Sequence, residues 1–160
     1  MEILETRTTC RSCGASSLPI VLELGRVPVA YRLLRKEQLA EPETLLPLTV
    51  VFCEACGLVQ LRETVAPAFL FGDEYPYLSS VSPALVRHAE EHALDLIERR
   101  DLDTSSFVVE LASNDGYLLQ RFVERGIPCL GIDPAGEPVR AARARGVPAW
   151  NGFFGPALRE

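Results

Sequence analysis

The 160-residue chain is 48% hydrophobic and carries a formal net charge of −6, which suits a folded core in one domain or two small ones. Lysine and arginine are scattered without a basic block, which argues against a nucleic-acid partner, and no run of 18 apolar residues offers a membrane span. The acidic opening Met1-Glu-Ile-Leu-Glu5 lacks the charged and apolar regions of a signal peptide, so the expected compartment is the cytoplasm.

Four of the five cysteines form two C-x-x-C-G motifs, Cys10-x-x-Cys13-Gly14 and Cys53-x-x-Cys56-Gly57. This spacing lets a tight turn point two thiolates at one ion, and the glycine takes a backbone conformation closed to side chains. Two such turns complete a tetrahedron, so Cys10, Cys13, Cys53 and Cys56 are the expected ligands of a structural zinc ion. Iron suits the same four thiolates, and free buried cysteines or a disulfide are the remaining readings. Cys129 lies in an apolar run and reads as a small core residue.

The second motif sits between alternating segments, Leu48 to Phe52 and Leu58 to Leu61, and should form the tip of a β-hairpin. Leu18 to Leu24 is the expected partner strand, ending at Gly25. Arg32 to Ala40 offers a short helical piece between turns. The segment Gly72-Asp-Glu-Tyr-Pro-Tyr-Leu-Ser-Ser80 carries two tyrosines and two serines. Those hydroxyls suit an active-site loop, and a surface linker packed on the core is the other reading. Ser82-Pro83 should start a helix that runs to about Arg100 and buries Leu85, Ala89, Ala93, Leu96 and Ile97. Within it, His88-Ala-Glu-Glu-His92 matches the inverted zinc-protease pattern, but an amphipathic helix with a polar face explains the same residues.

Phe107 to Asp133 reads as strand, turn, helix and strand ending in an acid. Phe107 to Leu111 is the first strand and Ala112 to Gly116 the turn; Leu118, Leu119, Phe122 and Val123 mark the helix, with Gly126 at its end. Pro128 to Ile132 is the second strand. Asp133 stands where a doubly wound fold binds ribose hydroxyls. The turn Glu110-Leu-Ala-Ser-Asn-Asp-Gly116 keeps only the last glycine of a dinucleotide fingerprint, which disfavours NAD. Its acids suit a cationic, amino-acid-like ligand such as S-adenosylmethionine; another nucleotide, or a βαβ unit without ligand, is the alternative. A further helix to about Arg145 and a third strand over Val147 to Phe154 follow. Three strands leave a sheet edge uncovered, as expected of the N-terminal part of a longer enzyme or of a chain needing a partner.

These motifs together resemble the N-terminal half of the sugar C-methyltransferases, which act on nucleotide-linked deoxy-keto-sugars. The residues that carry the resemblance are Cys10-x-x-Cys13-Gly14, Gly25-x-x-Pro28, Pro47-Leu48, Cys53-x-x-Cys56-Gly57-Leu58-Val59-Gln60-Leu61, Tyr75-x-Tyr77-x-Ser79-Ser80, His88, Glu110-x-x-Ser113-Asn114-Asp115-Gly116 and Gly131-Ile132-Asp133-Pro134. The resemblance implies an α/β chain: a zinc-ribbon-like β domain over 1–72, an active-site loop and linker helix over 73–106, and an incomplete Rossmann-like domain over 107–160. It implies S-adenosylmethionine held by Tyr77, Ser80, Glu110, Ala112, Ser113, Asn114, Asp115, Gly116 and Asp133, with Tyr75, Tyr77 and His88 as candidate catalytic residues. The family's general base and further sugar-binding residues lie later in the enzyme, so this chain alone is expected to be inactive without the C-terminal part or a partner chain. A zinc-stapled interaction module with a vestigial Rossmann half, or an O- or N-methyltransferase, are the competing readings.

Overall fold

The computed structural model describes residues 3–72 and 75–156, and the chain divides into two compact units, Met1–Leu70 and Phe71–Glu160. Asp73 and Glu74 of the tyrosine segment lie outside the described residues.

In the first unit, β1 (Leu4–Thr6) pairs antiparallel with β5 (Glu63–Val65), Leu4 opposite Val65. A second antiparallel sheet runs β2 (Ile20–Pro28), β3 (Leu45–Phe52) and β4 (Val59–Leu61) in that order. The expected hairpin around the second cysteine motif is present, with Phe52 opposite Val59. The strand expected to stop at Gly25 continues to Pro28. Two register shifts against β3, between Ile20 and Leu22 and between Glu23 and Arg26, absorb the left-handed glycine as an irregularity within the ladder. The expected helix over Arg32 to Ala40 reduces to a 3-10 turn at Lys36–Gln38, because its backbone bonds close only over three residues, Gln38 to Arg35 and Leu39 to Lys36. A single helical turn, α1 (Pro67–Leu70), ends the unit.

Burial in this unit is sparse. Among the described residues its buried apolar side chains are Leu46 and Val51 on β3, together with Cys10 and Cys53. Exposed Ile20, Val21, Leu22 and Leu24 line β2. So few buried groups cannot offset the entropy of ordering some seventy residues, and a cross-link has to hold the unit together.

The second unit opens on a 3-10 turn, Ser79–Val81, and then α2 (Pro83–Arg99). The Ser82 hydroxyl accepts a hydrogen bond from the Leu85 amide at 3.3 Å, and Pro83 occupies the first turn, as the sequence requires of a helix start. Ala89 and Ala93 are buried, and Leu96 and Ile97 pack on the core. Three parallel strands follow in the order β6 (Val108–Leu111), β7 (Cys129–Asp133) and β8 (Ala149–Asn151), with α3 (Gln120–Val123) and α4 (Gly136–Ala144) between them. The core gathers Ala93, Leu119, Phe122, Ile127, Cys129, Ala142 and Val147, so α2 belongs to this unit as a packed element, and Cys129 is the core residue its apolar setting predicts. No helix among the described residues is long and apolar enough to cross a membrane.

Two expectations in this unit need correction. The helix expected straight after the turn is regular only over α3. Bonds over four residues (Gln120 to Gly116, Val123 to Leu119) mix with bonds over three (Arg121 to Leu118, Phe122 to Leu119), which tightens and distorts the coil. Its end does follow the sequence signal: Gly126 is left-handed, and the Ile127 amide reaches back to the Phe122 carbonyl at 3.0 Å. The third strand is regular only over Ala149–Asn151: its partner β7 ends at Asp133, and the Gly152 amide makes the last ladder bond to the Asp133 carbonyl at 2.9 Å.

Candidate metal centre and cofactor turn

The two cysteine turns are built alike. In the first, the Gly14 amide donates to the Cys10 carbonyl at 3.1 Å; in the second, Gly57 donates to Cys53 at 2.8 Å. Both glycines are left-handed, with φ +77° and +76°, and open space surrounds each, so backbone conformation alone demands glycine there. The four sulfurs lie within 4.8 Å of one another, with Cys10 to Cys56 at 3.7 Å and Cys13 to Cys53 at 3.6 Å. A tetrahedron of about 2.3 Å zinc–sulfur bonds has edges of about 3.8 Å, so the cluster fits a four-thiolate ion. Such a site has no open position and is structural.

Gln60 on β4 anchors this centre. Its amide group donates to the Cys10 sulfur at 3.2 Å while its oxygen accepts from the Arg11 amide at 3.0 Å. Hydrogen bonds at the Cys13 backbone, then the Ser12 amide and Gln60, hold the Cys10 thiol down at about 6. The Leu58 amide pulls on Cys56 in the same sense, but hydrogen bonds with Cys13 and Cys53 outweigh it and push that thiol up to about 12. Ion binding therefore has to displace protons from the cluster.

In the second unit the turn after β6 has an unusual backbone. Ala112 and Asn114 take left-handed conformations with φ +58° and +49°, and Gly116 follows at +74°. These alternate positions are where a glycine-rich nucleotide loop would carry glycines. The Ala112 amide is bonded to the Ile132 carbonyl at 2.8 Å, and Asn114 is held by Asp133 at the end of β7. Its buried carboxylate accepts from the Asn114 amide and the Ala135 amide, both at 2.8 Å. Gly116 is further constrained, since a Cβ there would stand 3.0 Å from Val147.

The turn also grips the tyrosine segment. The Asn114 side chain accepts from the Ser79 amide at 2.7 Å and donates to the Tyr77 carbonyl at 3.1 Å. Asp115, fully buried, accepts from the Ser80 amide at 3.3 Å and pairs with Arg145 at 2.9 Å; Arg145 in turn donates to the Ser80 hydroxyl at 2.7 Å. Ser79, Ser80 and Tyr77 are thus brought to the turn. Tyr75 packs edge-on against Phe71 at 5.4 Å between ring centroids. His88 is exposed on α2 with its ring stacked on His92 at 6.3 Å, and among the described residues neither histidine joins a metal-binding cluster.

Three oxygens in this turn are buried without a partner among the described residues: Glu110 Oε2, Ser113 Oγ and Asp115 Oδ1. Each such acceptor costs about 1–3 kcal/mol until a donor arrives. Burial first, and then the charges of Asp133 and Asp115, push the Glu110 carboxyl up from 4.5 to about 8. Burial, Glu110, Asp115 and Tyr77 likewise raise the Tyr117 phenol. Converging acids that cannot all ionise carry a charge stress that a cation would relieve. Tyr117 and Arg145 are site residues that motif reading does not find, and Gln60 is quoted in a motif without its role at Cys10.

Residues 10–71 match the protein family described as "Putative zinc binding domain". Over 146 residues the chain is 36% identical to the C-methyltransferase NovU of Streptomyces niveus, an alignment covering 91% of this chain and 34% of that protein. The chain therefore spans about a third of the length of this relative.

Two outcomes follow. Stripping the metal with a chelator should unfold the first unit, seen as loss of dispersed amide signals from β2, β3 and β4, while signals from the parallel sheet persist; retention of the first unit's signals would contradict a metal-held fold. Folded Glu110 keeps a proton that the unfolded chain releases, so its contribution to stability falls as pH rises from 4.5 to about 8. Glu110→Gln should accordingly leave the urea midpoint unchanged near pH 4.5 and raise stability at pH 8 by on the order of 1–3 kcal/mol.

Proposed function

We propose that this chain, whose sequence belongs with the N-terminal part of the C-methyltransferases, supplies the metal-stapled unit and the cofactor turn of an S-adenosylmethionine-dependent enzyme. Its substrate class is a nucleotide-linked deoxy-keto-sugar, methylated at a carbon next to the ketone. The observation that carries the cofactor reading is the set of unpartnered buried oxygens around Glu110.

Adenosylmethionine, when bound, supplies an electrophilic methyl group on a sulfonium. Glu110, once ionised, faces the positive charge of the methionine end, and the turn from Ala112 to Gly116 lets backbone approach it closely. Asp133 spends one lone pair of each oxygen on the turn's amides and keeps the others for ribose hydroxyls. Asn114 and Asp115 act through the segment they hold: they fix Tyr77, Ser79 and Ser80 against the turn, where hydroxyls can orient a sugar and stabilise the oxygen of an enolate. Tyr75, Tyr77 and His88 are the chain's candidates for handling protons. Deprotonation of the sugar carbon requires a base, which on this reading comes from sequence beyond this chain.

A zinc-stapled docking module without catalytic role is the competing reading, and cofactor binding separates the two. Calorimetry of the zinc-loaded chain with adenosylmethionine should give an affinity that rises about tenfold between pH 6 and pH 7, as ionised Glu110 becomes tenfold more abundant below its pKa of about 8. In Glu110→Gln that dependence should vanish. Absence of binding both here and in a longer chain carrying the C-terminal part would leave the docking module.

A further inference from the structure

The first unit contains a concavity separate from the four sulfurs. It is a cavity of about 250 Å³ lined by Thr6, Arg7, Thr8, Ser16, Leu18 and Arg62. Two guanidinium groups and three hydroxyl residues share it, and no carboxylate is among its lining residues. We propose that Arg7 and Arg62 form a binding site for a phosphate-class dianion.

The strand pairing explains how two like charges come to one cavity in an acidic chain. Arg7 follows β1, and Arg62 stands between β4 and β5. The Arg7 amide donates to the Arg62 carbonyl at 2.9 Å, and the Arg62 amide donates to the Thr49 carbonyl at 2.9 Å. Both backbones are thereby pinned before any ligand arrives, which lowers the cost of ordering the site. Arg7 Nε is sealed from solvent with no hydrogen-bond partner among the described residues. Its nearest acid, Glu5, stands at 3.8 Å with a side chain 67% exposed, a weak surface pairing. No carboxylate among the described residues pairs with Arg62.

The contrast with Arg11 is informative. That guanidinium is spent on the carbonyls of Leu61 and Glu63 and on the Thr64 hydroxyl, and it serves as a structural strap. Among the described residues Arg62 has no such employment, and Arg7 has only the exposed Glu5. An oxyanion between the two guanidinium groups relieves repulsion that Glu5 alone offsets weakly. The cavity is smaller than the roughly 300 Å³ at which sites for drug-sized ligands begin, so the group it accepts is small. Two planar forks with hydroxyls beside them offer more donors than a carboxylate can accept, which favours phosphate. Such a group comes either as free phosphate or pyrophosphate, or as the diphosphate of a nucleotide. The proposal stands on the first unit alone and does not rest on the methyl-transfer reading.

The test is calorimetric titration of the full zinc-loaded chain with inorganic phosphate, pyrophosphate and thymidine diphosphate. Saturable binding of pyrophosphate is expected, weakened about 10- to 100-fold by Arg62→Gln and by Arg7→Gln, with zinc content retained. Arg62→Lys should lie between, since it keeps the charge and loses the fork. Arg32→Gln should bind like the unaltered chain, because that guanidinium sits over the Phe69 ring outside the cavity. Thymidine diphosphate binding at least tenfold tighter than pyrophosphate identifies a nucleotide as the source of the group; equal affinities identify the free anion. No saturable binding below about 10 mM, or equal weakening by Arg32→Gln, would overturn the proposal.

Discussion

The carboxylate of Asp133 is the constraint on which the second unit's site depends. Buried at the end of β7, it accepts the amides of Asn114 and Ala135, and so ties the turn after β6 to the start of α4. The bond to the Asn114 amide helps offset that residue's left-handed conformation, which costs on the order of 1 kcal/mol for a residue with a side chain. The strained turn then sets everything around it. It leaves the Glu110 carboxyl facing two other acids, and it aims the Asn114 and Asp115 side chains at the segment from Tyr77 to Ser80. One buried acid thus helps organise both the acidic turn and the hydroxyl-bearing segment beside it.

The first unit solves a different problem. With two aliphatic side chains and two cysteines buried, it lacks the core that holds the second unit, and its order depends on a cross-link between segments more than forty residues apart in sequence. The four thiols meet at tetrahedral spacing because each C-x-x-C turn closes on a left-handed glycine, and Gln60 and Arg11 lock one turn to β4 and β5. A rigid small unit of this kind can present the arginine cavity with its backbone already fixed.

Local signals in the sequence carried far. The cysteine hairpin, the Ser82-Pro83 helix start, the Gly126 helix end and the alternation of strands with helices all depend on residues close in the chain, and all are present. What escaped reading is long-range or conformationally disguised. Nothing marks Ala112 as left-handed, and Asn114, of a type that tolerates that conformation, is held by Asp133 some twenty residues away. Gln60 reaches Cys10 across 50 residues, and Arg145 reaches Ser80 across 65, so no motif links them. Gly25 signals a strand end locally, yet β2 runs on to Pro28 because shifts of register absorb the glycine. The helix after the turn was overdrawn because apolar spacing does not report whether bonds close over three or four residues.

The central claim is that the turn from Glu110 to Gly116 receives a cationic cofactor while gripping the tyrosine segment. Amide chemical-shift mapping of the isotopically labelled, zinc-loaded chain titrated with S-adenosylmethionine addresses it most directly. The account predicts perturbations concentrated at Ala112 to Gly116, at Asp133, and at Ser79 and Ser80 through their bonds to Asn114 and Asp115. Saturation with shifts confined to the first unit, or no perturbation of the turn at cofactor concentrations that saturate binding, would contradict it.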